Sequence, residues 1–365
     1  MGEKTDQRIK ELEEEIKNTK YNKATQHHIG LLKAKIAKLK QKKEQQQSSS
    51  GGGEGYSVKK AGDGTVVMVG FPSVGKSTLL NSLTNAESKT APYAFTTLDV
   101  IPGMMEYNQA KIQILDVPGI VSGASDGTGR GKEVLSVIWG TDLVMIILDI
   151  NNLGQYEVVK KEVYNFNIRL NQKKPDVRIR KKAKGGIRIG STVKLDMNER
   201  TIKNILNEFK IINAEVLIRT EINEDQLIDV VEGNKKYVPG FVVINKIDST
   251  TPGMLSAAEK KFPDAVFISA EKNKNLDYLR QKIFDSMDFI RIYLKEPGKE
   301  PDMDEPMILK SDSTLKELCE KIHQDFVERF KFARIWGKSV KYDGQMRTKL
   351  DQVLHDKDIV ELHIS

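Results

Sequence analysis

The nine residues Gly70-Phe-Pro-Ser-Val-Gly-Lys-Ser-Thr78 constrain this chain more than any others. They fit G-x-x-x-x-G-K-[ST] and follow the apolar run Thr65-Val-Val-Met-Val69. That order reads as a buried strand, a glycine loop and a helix continuing through Leu79-Leu-Asn-Ser-Leu83. A polyphosphate needs backbone N–H groups turned inward around it. Gly70 and Gly75 permit that turn, and the helix N-terminus adds the positive end of its dipole. Gly70, Pro72, Ser73, Val74, Gly75, Lys76, Ser77 and Thr78 are therefore candidate nucleotide-binding residues. Lys76 is expected to neutralise the β- and γ-phosphates, and Ser77 to give its hydroxyl to Mg²⁺. The fold class expected is α/β, a P-loop domain with a doubly wound, mostly parallel sheet.

A phosphate loop does not name a base, but Phe241-Val-Val-Ile-Asn-Lys-Ile-Asp248 does. It is a buried β run ending in N-K-x-D. Asp248 can accept from a guanine N1–H and N2–H₂, donors that adenine does not offer in that place. Asn245 can meet the O6/N7 side and tie this loop to the phosphate loop, while the Lys246 stem covers one face of the base. Polar groups left unpaired by the wrong base supply the discrimination. Ile112-Gln-Ile-Leu-Asp-Val-Pro-Gly119 is a strand ending in D-x-x-G. Asp116 is expected to hold Mg²⁺ through a water, and the Gly119 N–H to face the γ-phosphate. Between these segments lies Tyr93-Ala-Phe-Thr-Thr-Leu98, where Thr97, ahead of Thr96, is the candidate for binding Mg²⁺ and sensing the γ-phosphate. Ser269 and Ala270 end another apolar run and can support the guanine O6 from the backbone. Lys76, Thr97 and Gly119 are the candidates closest to the chemistry; Ser77, Thr97 and Asp116 are the candidate metal ligands.

The order of these segments resembles the translation-factor-class GTPases of the Obg-related branch. More narrowly, the chain is similar to the developmentally regulated GTP-binding (DRG) family. The residues that carry the resemblance are GFPSVGKST, AFTTL, DVPGI followed by Gly123 to Gly131, NKID, and Asn22-Lys-Ala-Thr25. It extends along essentially the whole chain. It implies GTP and GDP as ligands with Mg²⁺, and an address on ribosomes or RNA. Eukaryotic members pair with a dedicated stabilising protein, so a regulatory protein is a further candidate partner.

Phosphoryl transfer is mostly positioning and charge neutralisation, but the attacking water also needs orienting. Ras-like proteins place a Gln directly after the D-x-x-G glycine. Here that residue is Ile120, which cannot polarise water, so slow intrinsic GTP hydrolysis is expected. The resemblance admits a K⁺ ion in place of an arginine finger. Relatives hold that ion partly with a phosphate-loop Asn, and this chain has Ser73 at the equivalent place. Arg130 reads first as a solvated arginine and second as a charge donor. The run Gly123 to Gly131 carries four glycines in nine residues, which suits an order–disorder switch.

The chain has 365 residues, enough for two or three folded units, and a formal net charge of +7. The positive balance points weakly to an anionic partner. Cys319 is the only cysteine, at helical spacing with Leu315, Leu318 and Ile322, which reads as core. Five histidines without ligand spacing argue against a metal cluster. No apolar run reaches the length of a membrane span and no leader is visible, so a cytoplasmic monomer is the expectation.

Residues 1–45 read as a helical hairpin, with a lysine-rich second helix suited to packing on the G domain or a partner, or to serving as an RNA-facing arm. Residues 46–56 read as a flexible linker. The G domain is expected over 57–290, interrupted by a basic α/β insert over 170–237. Its Val177, Ile179, Ile187 and Ile189 alternate with cations as a hairpin with one wet face would. The resemblance implies an insert like a domain of a ribosomal protein. Residues 291–365 suggest a β-grasp fold similar to the TGS domain, with a helix from Thr314 to Phe326 capped by Ser313. Two other readings stand beside a switching GTPase. One is an RNA- or ribosome-binding adaptor that keeps guanine nucleotide as a structural ligand, which Ile120 favours. The other is a P-loop ATPase, which N-K-I-D opposes.

Overall fold

The computed structural model describes residues 2–20, 22, 25–48, 61–84, 100–117 and 139–364. Two helices open the chain, α1 (Gly2–Asn18) and α2 (Gln26–Ser48). Then come β1 (Gly64–Val69), α3 (Lys76–Leu83), β2 (Ile101–Tyr107), β3 (Ala110–Asp116), β4 (Leu143–Asp149) and α4 (Tyr156–Asn165). Next are β5 (Ile168–Leu170), β6 (Val177–Lys181), β7 (Ile187–Ser191), α5 (Glu199–Glu208), β8 (Ala214–Ile218), α6 (Glu224–Glu232) and β9 (Lys236–Val238). They are followed by β10 (Gly240–Asn245), α7 (Pro252–Lys261), β11 (Val266–Phe267) and α8 (Leu276–Met287). The last stretch holds β12 (Phe289–Leu294), β13 (Met307–Lys310), α9 (Leu315–Ile322), α10 (Asp325–Glu328), β14 (Phe330–Trp336), β15 (Gln345–Arg347) and β16 (Ile359–Ile364).

These elements fall into two compact units, residues 1–55 with 167–237, and residues 56–166 with 238–365. In the larger unit a six-stranded sheet runs β11-β10-β4-β1-β3-β2, parallel except for the β2–β3 hairpin. Every residue of β1 and β4 is buried. Their unbroken apolar runs, without alternation, are what a strand covered on both faces requires. Because β1, β3, β4, β10 and β11 are parallel, their carboxyl ends share one edge, where open α/β sheets bind ligands.

The same unit holds a second sheet, β13-β12-β16-β14-β15, with β12 and β16 parallel and the other neighbours antiparallel, the β-grasp arrangement. Leu315 and Leu318 of α9 pack into its core with Ile292, Ile335 and Val360. The helix cap differs from the sequence expectation. Thr314, not Ser313, is the N-cap, in a capping box with Glu317, and the helix ends at Ile322 rather than Phe326. The reciprocal bonds between Thr314 and Glu317 satisfy two helix-end donors, which Ser313 one residue earlier has no glutamate placed to match. Cys319 is fully buried, and burial pushes its thiol up to about 11.

In the smaller unit, α1 and α2 form an antiparallel pair seamed by Ile9, Leu12, Leu32 and Ile36. Asn22 Oδ1 accepts from the Thr25 N–H (3.0 Å), and the Thr25 hydroxyl donates to the Lys20 carbonyl (2.6 Å), closing the turn. The lysine-rich helix α2 lies on the 167–237 segment, with Ala34 in the same core as Ile202, Ile205 and Leu227. Four of its six lysines are engaged there and with α1: Lys33 with Asp225 (2.7 Å), Lys38 with Glu208 (3.1 Å), Lys40 with Glu13 (3.3 Å) and Lys43 with Asp6 (2.7 Å). Charge complementarity thus holds these four lysines of α2 against the insert and α1, while Lys42 stays exposed.

The insert sheet corrects another expectation. β6 and β7 do not pair as a hairpin; β8 lies between them, antiparallel to β6 and parallel to β7. β8 alternates in burial, with Ala214, Val216 and Ile218 inward. It fills the central place because its apolar positions are the ones that can be covered completely.

Candidate guanine-nucleotide site

β1 delivers the chain to the phosphate loop at Gly70, and α3 begins at Lys76 with Gly75 as its N-cap. Gly75 has φ +92, and a Cβ there would sit 2.4 Å from Asn245 Nδ2, so only glycine fits. The Lys76 amine donates to the Gly70 (3.1 Å) and Phe71 (3.0 Å) carbonyls, which draws it across the loop. Burial lowers its pKa, and the charge of Asp116 works the other way. Ser77 Oγ donates to Asp116 Oδ2 at 2.8 Å. That contact joins the first turn of α3 to the end of β3, where Asp116 stands opposite Met68 in the ladder.

The residues expected to read the base come from the ends of β10 and β11. Asn245, 2% exposed, donates from Nδ2 to the Val74 carbonyl (2.9 Å) and accepts at Oδ1 from the Ala270 N–H (3.0 Å). One side chain thereby clasps the phosphate loop, the N-K-x-D loop and the Ser269-Ala270 turn. Lys246, at φ +66, donates to the Ser73 carbonyl (2.6 Å) and to Asp149 Oδ2 (2.8 Å). Asp248 is exposed. A hydrogen bond with Ser269 holds its carboxyl below the usual range, against a small cost of desolvation. The Ser269 hydroxyl also accepts from the Lys272 N–H (3.1 Å). Asp248 is thus held ionised, an acceptor ready for two donors.

Among the described residues, the fold brings together the phosphate loop, Asp116, Asn245, Lys246, Asp248, Ser269 and Ala270. Thr97, Gly119, Ile120 and the run Gly123 to Gly131 with Arg130 lie outside the described residues. Asp149, which the motif reading did not include, joins this cluster through Lys246. Burial favours its neutral form, but hydrogen bonds from Lys246 and Asn151 outweigh that and lower its pKa. A carboxylate closing the apolar strand Leu143 to Asp149 was its one signal in the sequence.

The fold and this site define a P-loop GTPase carrying a β-grasp domain. Comparison with known proteins agrees in order and extent. The family described as "50S ribosome-binding GTPase" matches residues 65–182, the "C-terminal region of MMR_HSR1 domain" matches 184–289, and the TGS domain matches 290–364. An uncharacterised GTP-binding protein of Methanocaldococcus jannaschii is 52% identical, with 98% of this chain and 93% of that protein covered. Developmentally-regulated GTP-binding protein 1 of Xenopus laevis is 44% identical over 97% of this chain and 98% of its own. Developmentally-regulated G-protein 3 of Arabidopsis thaliana is 45% identical over 98% of each. The chain belongs to the developmentally regulated GTP-binding protein family. No helix among the described residues is long and apolar enough to cross a membrane.

Proposed function

We propose that this protein is a Mg²⁺-dependent GTPase of slow intrinsic turnover that acts as a nucleotide-controlled switch on ribosomes or RNA in translation. The observation that carries the reading is the Asn245 clasp, which fixes the phosphate loop against the base-reading loops. The backbone N–H groups from Gly70 to Thr78, Pro72 excepted, bind the phosphates. Lys76 balances their charge, and Asp248 reads the guanine edge while Asn245 holds its loop. Ser77 and Asp116 set a hydroxyl and a carboxylate side by side, the hard oxygen donors that Mg²⁺ takes. When bound, the ion neutralises charge developing on the phosphates. Thr97 and the Gly119 N–H complete the proposed set around the γ-phosphate.

Slow turnover follows from Ile120, which offers the attacking water no hydrogen bond. A monovalent cation such as K⁺, or a partner, is the proposed accelerator. The RNA side of the proposal draws on the ribosome-binding GTPase family that the chain matches and on the basic insert. It includes a cytoplasmic monomer open to a dedicated regulatory protein. The same Ile120 favours a second reading, an adaptor that holds guanine nucleotide without turning it over. Steady-state phosphate release, with and without Mg²⁺, K⁺ and ribosomes, separates the two. Acceleration by K⁺ or ribosomes supports the switch. Release that stays at the background of spontaneous GTP hydrolysis under every condition leaves the adaptor. Sedimentation with ribosomes in GTP-analogue and GDP states tests the address.

A further inference from the structure

The insert sheet has two unlike faces. Val177, Ile179, Ile187, Ile189 and Val216 turn to a core shared with α5 and α6. The other face is exposed and carries arginines. The ladder register puts Arg180, Glu215 and Arg188 on one rung, and Arg178, Leu217 and Gly190 on the next. Lys182 bonds to Glu215 from the end of β6. Arg178, Arg180 and Arg188 have no carboxylate within ion-pair distance among the described residues, although Glu215 feels the fields of Arg180 and Arg188.

We propose that this open sheet face binds RNA along its sugar–phosphate backbone, with the arginines on phosphates and Glu215 accepting from a ribose 2′-hydroxyl. The assignment rests on the RNA side of the reading above and adds to it the surface and the mode of recognition. Four cations surround one acid, so the face attracts a polyanion as a whole. Arg178 and Arg180 are two residues apart on one strand, about 6.6 Å along it, and so can grip successive phosphates of a single strand. Arg188 lies two strands away, about 9.6 Å across, and can hold a phosphate on the other side of Glu215. A carboxylate at the centre repels a phosphate but welcomes a donor, and the 2′-hydroxyl is the donor that RNA has and DNA lacks. Gly190 carries no side chain above its rung, and a Cβ there would meet only Leu217 Cδ1 at 3.7 Å, so a ribose can approach the sheet closely. No base edge is read in this mode, and binding is expected to tolerate changes of sequence.

The test uses the full-length chain with a labelled RNA hairpin and a DNA hairpin of the same sequence, over a series of salt concentrations. Wild type is expected to prefer the RNA. The triple variant Arg178→Ala, Arg180→Ala, Arg188→Ala should lose about tenfold in affinity and flatten the log–log salt slope by about 2. Glu215→Ala should bind both probes more tightly and lose the RNA preference, whereas Glu215→Gln, which keeps an acceptor, should retain part of it. Circular dichroism and urea unfolding should be the same in all the variants, which shows that the insert stays folded, and unchanged binding of a fluorescent GTP analogue shows the same of the other unit. Wild type that holds GTP but no RNA would remove the RNA reading and this surface together. Wild type that binds RNA, beside a triple variant with the same affinity and slope, would remove the surface alone. An RNA-to-DNA ratio unmoved by Glu215→Ala would overturn the ribose contact. Phosphatidylserine vesicles that displace the RNA from wild type would point to a membrane occupant and overturn the assignment.

Discussion

Asp149 stands directly across the parallel ladder from Asn245, and its Oδ2 accepts from the Lys246 amine at 2.8 Å. The same amine reaches the Ser73 carbonyl at 2.6 Å, so one lysine is stretched between the phosphate loop and the end of β4. Asp149 also accepts from the Asn151 N–H (2.9 Å), and Asn151 Nδ2 donates to Ser249 Oγ (3.2 Å). Ser249 in turn donates to the Lys246 carbonyl (2.8 Å). The ring closes on the N-K-x-D loop and fixes the Lys246 side chain across it.

Loss of that anchor should be read in nucleotide residence. Asp149→Ala is expected to raise the dissociation rate of a fluorescent GDP about tenfold, because one charge-assisted bond disappears from a partly exposed pair. Asp149→Asn, which keeps an acceptor of the same shape, should lie between variant and wild type. The association rate should change less than the dissociation rate. A stopped-flow experiment showing identical dissociation in all three chains would confine Asp149 to a structural role.

Gly75 offers a sharper steric test. Any Cβ meets the Asn245 amide at 2.4 Å, and the backbone is left-handed at φ +92. Gly75→Ala must therefore either move the loop or break the Asn245 clasp, and nucleotide affinity should fall by roughly a hundredfold. Calorimetry with GDP measures this, and circular dichroism confirms that the sheet persists. Affinity within a factor of two of wild type would mean that Asn245 does not hold the site together.

Asp248→Asn should move preference from guanine toward xanthine nucleotides, because the Asn amide N–H₂ can donate to the 2-oxo group that xanthine carries where guanine has a 2-amino donor. Direct competition between GTP and XTP reads the shift. Unchanged guanine preference would remove Asp248 from base reading, whatever the variant does to overall affinity.

Those parts of the candidate nucleotide site that the structure describes come together as local motifs, while Thr97 and Gly119 lie outside the described residues. A strand, a glycine turn and a helix that are contiguous in the chain carry their own geometry, and so do the N-K-x-D tetrad and the strand before it. Asp149 was not legible, since nothing in the chain says that residue 149 will stand beside residue 245 until the parallel register is known. The insert shows the same limit. The alternation in β6 and β7 identified two strands and their cationic side, but not β8, which enters between them from further along the chain. The α2 lysines left packing and an RNA-facing arm both open in the sequence, because the partners of Lys33 and Lys38, Asp225 and Glu208, lie far away along the chain.

Arg169 and Asp229 make a fully buried bidentate pair, with Nε–Oδ2 at 2.6 Å and Nη2–Oδ1 at 2.7 Å and both side chains 4% exposed. Removing one partner leaves an uncompensated charge in the interior of the smaller unit. Asp229→Ala should cost about 3–5 kcal/mol in urea unfolding, while an apolar pair such as Arg169→Met with Asp229→Leu should recover much of it. A loss below about 1 kcal/mol for the single change would show that water reaches the pair.

The β-grasp unit should respond to acid in a defined window. Burial raises the pKa of Asp356, but hydrogen bonds from the Arg291 side chain and N–H carry it below the usual range. Glu361 is buried where Asp356 is partly exposed, and its bonds with His363 and Lys295 lower it in the same way. A carboxylate depressed in the folded state binds fewer protons there than in the unfolded chain, so it stabilises above the ordinary carboxylate pKa of about 4. That contribution is lost as pH falls through the lower folded values. Stability of this unit should therefore be level from neutrality to about pH 5 and drop below about pH 4. Asp356→Asn with Glu361→Gln should be less stable at neutral pH and flatter in acid. Urea unfolding followed at Trp336, in a chain with Trp139→Phe, measures both limbs. An acid limb as steep in the double variant as in its parent would assign the loss to other carboxylates.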